Sequence, residues 1–295
     1  MLTFIRTVLV GFLLVSVQSA QAGQKIYPQT EEALEQAYQN LNWEEEPKTY
    51  SLGVSHVEYR LPEGLLIIRE EDARQFVFLN NGTEFPDVDA VVLDPVSQHQ
   101  LIFAFVEEGY VSDDDWADLD ADVLFEGITE SEKEANAQRI ENGVGAVKFM
   151  GWSQEPTYDK SSRTAYWAMK IKHETGIFVN ATALKLGRKG FSAIIWVGEA
   201  EQFNSSENML REALNNHKFE NGFRYADYSS GDKIAAFGLA SLVAVTAGSK
   251  SGKGVVAGIL AMLLIFAKKL WFLIFLPFVF VWKWIKRLFT GRQES

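Results

Sequence analysis

The chain is apolar at both ends and strongly acidic between them, an arrangement typical of a water-soluble body attached to membrane-directed segments. At the N-terminus, Arg6 precedes an apolar run over residues 7–17, and Ala20, Gln21 and Ala22 follow it. A basic start, a short apolar run and a small-x-small site predict a secretory signal peptide over residues 1–22, cleaved after Ala22. An uncleaved anchor is the alternative, but 11 apolar residues are too few to span a bilayer comfortably.

The C-terminal part, residues 233–295, has nine basic residues and one acidic residue, and most of its length is apolar. It contains three apolar stretches, residues 234–248, 255–267 and 270–282. Each is shorter than the roughly 20 residues of a spanning helix. We predict that residues 233–295 anchor the chain in the lipid bilayer through one membrane helix or more.

Two arrangements of this anchor are open. A single span over 270–284 leaves the basic end cytoplasmic, and residues 234–248 then pack on the bilayer surface or on the body. A hairpin instead places residues 249–253 inside and the basic end outside. In both arrangements Lys268 and Lys269 interrupt apolar sequence, and a lysine at the bilayer centre costs about 2.5–3.5 kcal/mol. We therefore expect them to snorkel or to contact a partner membrane protein.

The body, residues 23–232, has 18 Lys and Arg against 38 Asp and Glu, a net charge of −20. This charge argues against nucleic acid as a partner, because neutralising phosphates requires basic side chains. The chain has no cysteine, which excludes disulfides, thiol catalysis and iron–sulfur clusters. Its length suffices for one acidic soluble domain, or for two sub-domains divided near residue 107.

The body alternates apolar runs with turn residues, which indicates an α+β fold: a mixed or antiparallel sheet with a few packed helices. Pro62 and Gly64 predict a hairpin between two of its strands, and Gly187 and Gly190 predict another. Helices are predicted over 31–41, 72–79, 116–141 and 208–217. Strands are predicted over 50–54, 57–61, 65–69, 91–93, 101–106, 147–152, 164–171, 178–186 and 191–197.

The densest acidic run begins at Asp113, Asp114 and Asp115, and these three residues are the candidates for a Ca²⁺ site. An EF-hand loop also needs a Gly at position six and a Glu at position twelve, and the run has neither. The alternative is that Ser112 or Asp113 caps the helix predicted over 116–141.

The four histidines have none of the spacings of a zinc site, and the serine-hydrolase and phosphate-loop motifs are absent. We therefore predict no cofactor and no metal site beyond the three candidate acids. Five aromatic residues in the second half of the body favour a packed core over a sugar-stacking face. They are Trp152, Tyr158, Tyr166, Trp167 and Trp196.

Several motifs follow one another in a fixed order, beginning with Gly-Tyr-Val-Ser-Asp-Asp-Asp at residues 109–115 and ending with the segment 232–240. The positions that carry the pattern are Gly109, Tyr110, Ser112, Asp113, Asp115, Gly151, Trp152, Tyr158, Trp167, Arg188, Arg224, Tyr225 and Asp227. In these positions the chain resembles the bacterial membrane-anchored proteins of domain-of-unknown-function family 2167, from about residue 109 into the C-terminal part.

The resemblance implies an exported body with a C-terminal membrane anchor, at the bacterial inner (cytoplasmic) membrane and with the body on the periplasmic side. It implies no established activity and supplies no catalytic residues. We expect a non-catalytic binding or envelope-support module. One alternative is a hydrolase that uses scattered carboxylates such as Asp113, Asp115 and Asp159. Another is a structural subunit of a membrane assembly, joined through Lys268 and Lys269.

Overall fold

The structure is a computed structural model that describes residues 28, 30–53, 55–81, 84–97, 99–141, 146–174 and 176–248. The predicted signal peptide with Ala22, the last two apolar stretches, and Lys268 and Lys269 lie outside the described residues. Within the described part of the chain, no helix has both the length and the apolar composition needed to cross a bilayer.

Helices and strands both contribute to the body, which confirms the α+β class. The described helices are α1 (Glu31–Gln39), α2 (Glu70–Asn81), α3 (Ala121–Glu141), α4 (Phe203–Asn216) and α5 (Leu239–Thr246). The described strands are β1 (Thr49–Leu52), β2 (Val57–Arg60), β3 (Leu66–Arg69), β4 (Val88–Leu93), β5 (Gln100–Val106), β6 (Lys148–Asp159), β7 (Thr164–His173), β8 (Gly176–Leu186), β9 (Phe191–Glu199) and β10 (His217–Phe219).

The strands form two antiparallel sheets. Seven of them lie in the order β3-β4-β5-β9-β8-β7-β6, and three form a small sheet in the order β1-β2-β10. The predicted hairpin at Gly187 and Gly190 joins β8 to β9, with Leu186 opposite Phe191. Because β5 pairs with β9, residues on both sides of position 107 belong to one sheet.

The large sheet is covered on both faces. One face packs on α1, α2, α3 and α5. The other packs on the small sheet and α4, around Trp196. This double cover explains why β4, β5 and β9 are apolar at consecutive positions, since both sides of each strand are buried. It also explains why β8, whose partial alternation predicts a half-buried strand, is buried along most of its length.

The hairpin predicted from Pro62 and Gly64 is wrong, because β2 and β3 belong to different sheets. Strand β2 alternates between buried and exposed residues, which suits the small sheet with its one covered face. Strand β3 is buried at Leu66, Ile67 and Ile68, which requires the doubly covered sheet. The turn between them therefore carries the chain from one layer to the other.

The helix predicted over 116–141 is two elements. A short 3-10 helix covers Trp116–Asp118, and α3 begins only at Ala121. The side chain of Asp120 accepts hydrogen bonds from the N–H groups of Asp122 at 2.9 Å and Val123 at 3.0 Å, and so caps α3. The prediction that Ser112 or Asp113 caps this helix is therefore wrong.

The first apolar stretch of the C-terminal part lies on the body rather than beside it. We call residues 233–247 the C-terminal segment; it includes α5. Leu239, Leu242 and Val243 are fully buried in the same core as α3 and the large sheet. Burial of side chains of this size contributes about 1.5–3 kcal/mol each. Of the two positions expected for this stretch, the structure has the one on the body.

Candidate functional site

The motif loop, residues 109–115, is centred on Asp113, which is tied to three other side chains. Its Oδ2 accepts hydrogen bonds from the hydroxyl of Tyr158, at 2.7 Å, and from the guanidinium of Arg163. Its Oδ1 lies 3.1 Å from the hydroxyl of Tyr225. The Arg163 guanidinium also lies over the Tyr225 ring, 4.7 Å from its centroid. One carboxylate thus joins the loop to β6, to the β6–β7 turn and to the end of the body.

These partners favour the ionised form of Asp113. Burial raises its pKa, but the hydroxyls of Tyr158 and Tyr225 and the charge of Arg163 outweigh burial, and the pKa is lowered. Burial first, and the bonded carboxylate as well, raise the pKa of both tyrosines, so they remain protonated donors. Asp113 is a charged acceptor at neutral pH and is poorly suited to donate a proton as a general acid.

The other two acids of the loop have different partners, so the three candidate metal ligands do not converge. Asp115 Oδ1 accepts a hydrogen bond from the N–H of Ala240 at 3.1 Å, at the start of α5. Asp114 Oδ2 accepts one from the hydroxyl of Ser112 at 2.8 Å. A Cβ at Gly238 would lie 2.4 Å from the Asp115 carboxylate, which explains the glycine. Among the described residues, no group of three or more His, Asp and Glu side chains could hold a metal ion.

The backbone of the motif loop also holds the C-terminal segment. The N–H of Tyr110 donates to the carbonyl of Lys233 at 2.8 Å, and the N–H of Ala235 donates to the carbonyl of Tyr110 at 2.9 Å. The N–H of Leu239 donates to the carbonyl of Ser112 at 2.8 Å. With the Asp115 contact, four hydrogen bonds connect the loop to residues 233–240.

Two motif positions allow the close approach of these two stretches. Gly109 has φ +98°, and a Cβ there would lie 2.6 Å from the carbonyl oxygen of Lys233. The ring of Tyr110 stacks on Tyr225, with centroids 4.4 Å apart, and lies 4.3 Å from the ring of Tyr228. The loop and the residues before the C-terminal segment are therefore packed as well as hydrogen-bonded.

Two arginine–aspartate pairs hold the chain that leads into the C-terminal segment. Arg188, in the β8–β9 hairpin, forms a bidentate pair with Asp232 at 2.7 and 2.8 Å. Arg224 pairs with Asp227 at 3.0 and 3.1 Å. Hydrogen bonds from Arg188 and from the N–H of Ser229 lower the pKa of Asp232 to about 2. The Arg224 pair lowers the pKa of Asp227 as well, so both acids are charged at neutral pH.

The remaining motif positions lie in the sheet, away from the loop. Trp167 is fully buried in the core. The indole N–H of Trp152 donates to the carbonyl of Ala121 at 3.3 Å, and its ring packs edge-on against Phe125. Gly151 has φ +136° and lies at an irregularity in the β6–β7 pairing. The two contacts of Trp152 attach β6 to α3.

A cleft of about 660 Å³ opens beside the partners of Asp113, between the β6–β7 turn, the end of β8 and β10. We call it the basic cleft, because its basic lining residues outnumber its two acidic ones, Glu58 and Glu220. The basic residues are Lys160, Arg163, Lys185, Lys218 and Arg224. A concentration of positive charge is unexpected on a body with a net charge of −20.

Lys185 is the most constrained of these basic residues. Its Nζ donates to the carbonyls of Leu214 at 2.9 Å and His217 at 2.6 Å. Burial, and then the charge of Lys218, lower the pKa of Lys185 to about 8. Complete burial, and then Lys185, lower the pKa of His217 to about 3, so the imidazole is neutral at neutral pH.

Lys160, Arg163, Lys185 and Lys218 belong to none of the motifs in the sequence. They are spread over three separate stretches of the chain, and only the folded turn, β8 and β10 bring them together. The composition gives the only indication of them, because basic residues are the minority in the body and a group of them in one place is therefore unusual.

Comparisons with known proteins identify a family and give no activity. The family model described as a protein of unknown function, DUF2167, matches residues 44–279. Curated proteins give no match. Among solved structures, the solution structure of cyanobacterial PsbP (CyanoP) from Synechocystis sp. PCC 6803 is similar at 11% identity and a TM-score of 0.37, over 69% of this chain and 99% of that one.

Proposed function

The chain belongs to the DUF2167 family of proteins of unknown function, and from this starting point we propose that it is a non-catalytic binding module of the bacterial envelope. The observation that carries the proposal is that the polar groups of the motif loop bind other parts of the same chain. Its Asp113 and Asp115 carboxylates and its backbone bind other parts of the chain, and they hold the C-terminal segment on the body. The motif builds a joint between the body and the residues leading to the apolar C-terminus, and it leaves the adjacent basic cleft open for a ligand.

The location is part of the proposal. We propose that residues 1–22 direct export, that cleavage follows Ala22, and that residues beyond the C-terminal segment hold the chain in the inner membrane with the body in the periplasm. The signal-like N-terminus and the basic, apolar C-terminal part support this location.

The hydrolase alternative receives little support from the carboxylates proposed for it. Asp113 is bound to Tyr158 and Arg163, and Asp115 to the start of α5. Asp159 accepts hydrogen bonds within its own turn, from Ser161 and Ser162, which lower its pKa to about 2. Each of the three acids thus has its own set of partners.

Fractionation of cells that express the full chain tests the location. The protein should stay with inner membranes after alkaline extraction, and protease added to spheroplasts should digest the body. A matched variant without residues 2–22 should be protected from the protease inside the cell. Protection of the full-length body in intact spheroplasts would contradict the proposal.

The topology and the partner have tests of their own. A cysteine added after Ser295 should react only after the membrane is permeabilised, as the single span over 270–284 requires. Labelling in intact spheroplasts would favour the hairpin instead. If a membrane protein contacts Lys268 and Lys269, the double change to leucine should reduce its co-purification with the chain.

A further inference from the structure

The basic cleft has the position and the charge of a ligand site. It lies where the two sheets approach each other, between the β6–β7 turn and β10. On one side, Arg163 and Arg224 are oriented by Asp113 and Asp227. Because these arginines are paired with charged carboxylates, they add little net positive charge to the cleft wall, and the excess of positive charge comes from the lysines.

The lysines of the cleft, unlike these two arginines, are not held by carboxylates of the described residues. Lys160 and Lys218 are exposed, and neither takes part in an ion pair in the part of the chain that the structure describes. Lys218 lies opposite Glu58 in the β2–β10 pairing. Lys185 uses Nζ to bond two carbonyl oxygens, so its charge is partly desolvated and has no carboxylate partner among those bonds. Three ammonium groups are thus present around one cavity without the acids that would neutralise them fully.

The acidic charge of the rest of the body should restrict anion binding to this cleft. The body carries a net charge of −20, so most of its surface repels an anion. An anion can bind only in a region where basic groups are in local excess. Ammonium groups bind phosphate as point charges, and several of them suit a group with more than one negative charge. Phe219, which is only partly buried, adds apolar surface for the part of a ligand that carries the phosphate.

We propose that the basic cleft binds a phosphate-bearing ligand with more than one negative charge, through Lys160, Lys185 and Lys218. This assignment rests on the proposed role as a binding module and names its ligand class. The phosphate could belong to a soluble molecule or to a lipid headgroup, and the two sources share the chemistry that the cleft recognises.

The test is calorimetric titration of the full chain in a maltoside detergent, which has no phosphate of its own. The probes are inorganic pyrophosphate, glycerol 3-phosphate and the soluble lipid dihexanoyl phosphatidic acid. We expect saturable binding of at least one probe. Preference for dihexanoyl phosphatidic acid would identify a lipid headgroup as the source of the phosphate, and preference for pyrophosphate or glycerol 3-phosphate would identify a soluble molecule. The affinity for the bound probe should fall about tenfold or more in the double variant Lys160→Gln and Lys218→Gln, because each substitution removes a charge-assisted contact with the phosphate.

The matched control is the double variant Lys148→Gln and Lys170→Gln, which removes two exposed lysines from β6 and β7 outside the cleft. It should bind the probe as the unchanged chain does. Absence of saturable binding, or equal loss in both double variants, would overturn the assignment. If the chain fractionates with inner membranes but binds no probe, only the ligand class fails; if it binds pyrophosphate but is not exported, only the proposed location fails.

Discussion

The carboxylate of Asp115 accepts a hydrogen bond from the backbone N–H of Ala240 at 3.1 Å, although the two residues are 125 positions apart. An acidic side chain at this place satisfies one of the free N–H groups of α5 and interacts favourably with the positive end of the helix. The motif loop therefore acts as a remote cap for a helix that contains no side-chain cap of its own.

Replacement of Asp115 by alanine should lower the free energy of unfolding by about 0.5–2 kcal/mol, the usual cost of losing an N-terminal cap. Urea unfolding of the full chain in detergent measures the change, and limited proteolysis should show faster cleavage within the C-terminal segment. Asp114→Ala is the control, because Asp114 is exposed and bonds its neighbour Ser112. Equal effects of the two changes would contradict the capping role.

Replacement of Gly109 by alanine should destabilise the protein for two reasons, a positive φ and a collision with the carbonyl of Lys233. A substitution at Gly64 measures the first effect alone, because Gly64 has a φ of +83° and a Cβ there would meet nothing within 4 Å. We expect Gly64→Ala to cost about 1–2 kcal/mol and Gly109→Ala to cost about 1–3 kcal/mol more. Thermal and urea unfolding of both variants provide the comparison, and similar costs would show that the collision is relieved without strain.

Replacement of Asp113 by asparagine should cost about 2–4 kcal/mol at neutral pH, because an amide cannot accept from Tyr158, Arg163 and Tyr225 together. The folded pKa of Asp113 lies below its unfolded value of 3.8. Its contribution is therefore fully present above that value and is lost as the pH falls through the folded pKa.

Unfolding measured between neutral and acidic pH should accordingly show the unchanged chain and Asp113→Asn converging in acid. Asp118→Asn is the control, because Asp118 is the exposed last residue of the 3-10 helix Trp116–Asp118. It should leave both the stability and its acid dependence nearly unchanged. A constant difference between the unchanged chain and Asp113→Asn at every pH would contradict the role assigned to the Asp113 charge.

Replacement of His217 by leucine should reduce the loss of stability in acid. The folded pKa of His217 is about 3, below the ordinary value of 6.5, so between these values the unfolded chain binds a proton that the folded chain does not. Stability from this residue therefore falls as the pH drops from 6.5 towards 3, by at most about 1.4 kcal/mol per pH unit.

The measurement is the slope of unfolding free energy against pH in that window, which should be smaller in His217→Leu. His99→Leu is the comparison, since His99 is only partly buried and lies 3.0 Å from the side chain of Gln202. If both variants keep the slope of the unchanged chain, His217 does not carry this part of the acid sensitivity.

Local patterns in the sequence predict most of the elements, because apolar runs and turn residues act over short distances. The hairpin at Gly187 and Gly190 is confirmed on these grounds. The pairing of β2 with β3 is wrong because Pro62 and Gly64 mark a turn without specifying whether the chain stays in its sheet. Strand β6 continues to Asp159, beyond its predicted end, through pairing irregularities that no local pattern indicates.

The candidate site is predictable only in part. The motif identifies Asp113 and Tyr225, which are in contact, but not Arg163, which bonds the same carboxylate. Arg163 lies in a turn, and its role depends on the β6–β7 pairing that brings this turn to the motif loop. The basic cleft depends likewise on the approach of two sheets, so its charge is evident only after folding.

The burial of α5 has a consequence for the order in which the protein matures. Leu239 and Leu242 complete a core that also contains Leu34, near the beginning of the body. The chain is synthesised from its N-terminus, so the early strands are made first, but this core cannot close until α5 is present. A nascent chain that stops before residue 239 would therefore expose apolar surface and remain a substrate for chaperones and proteases.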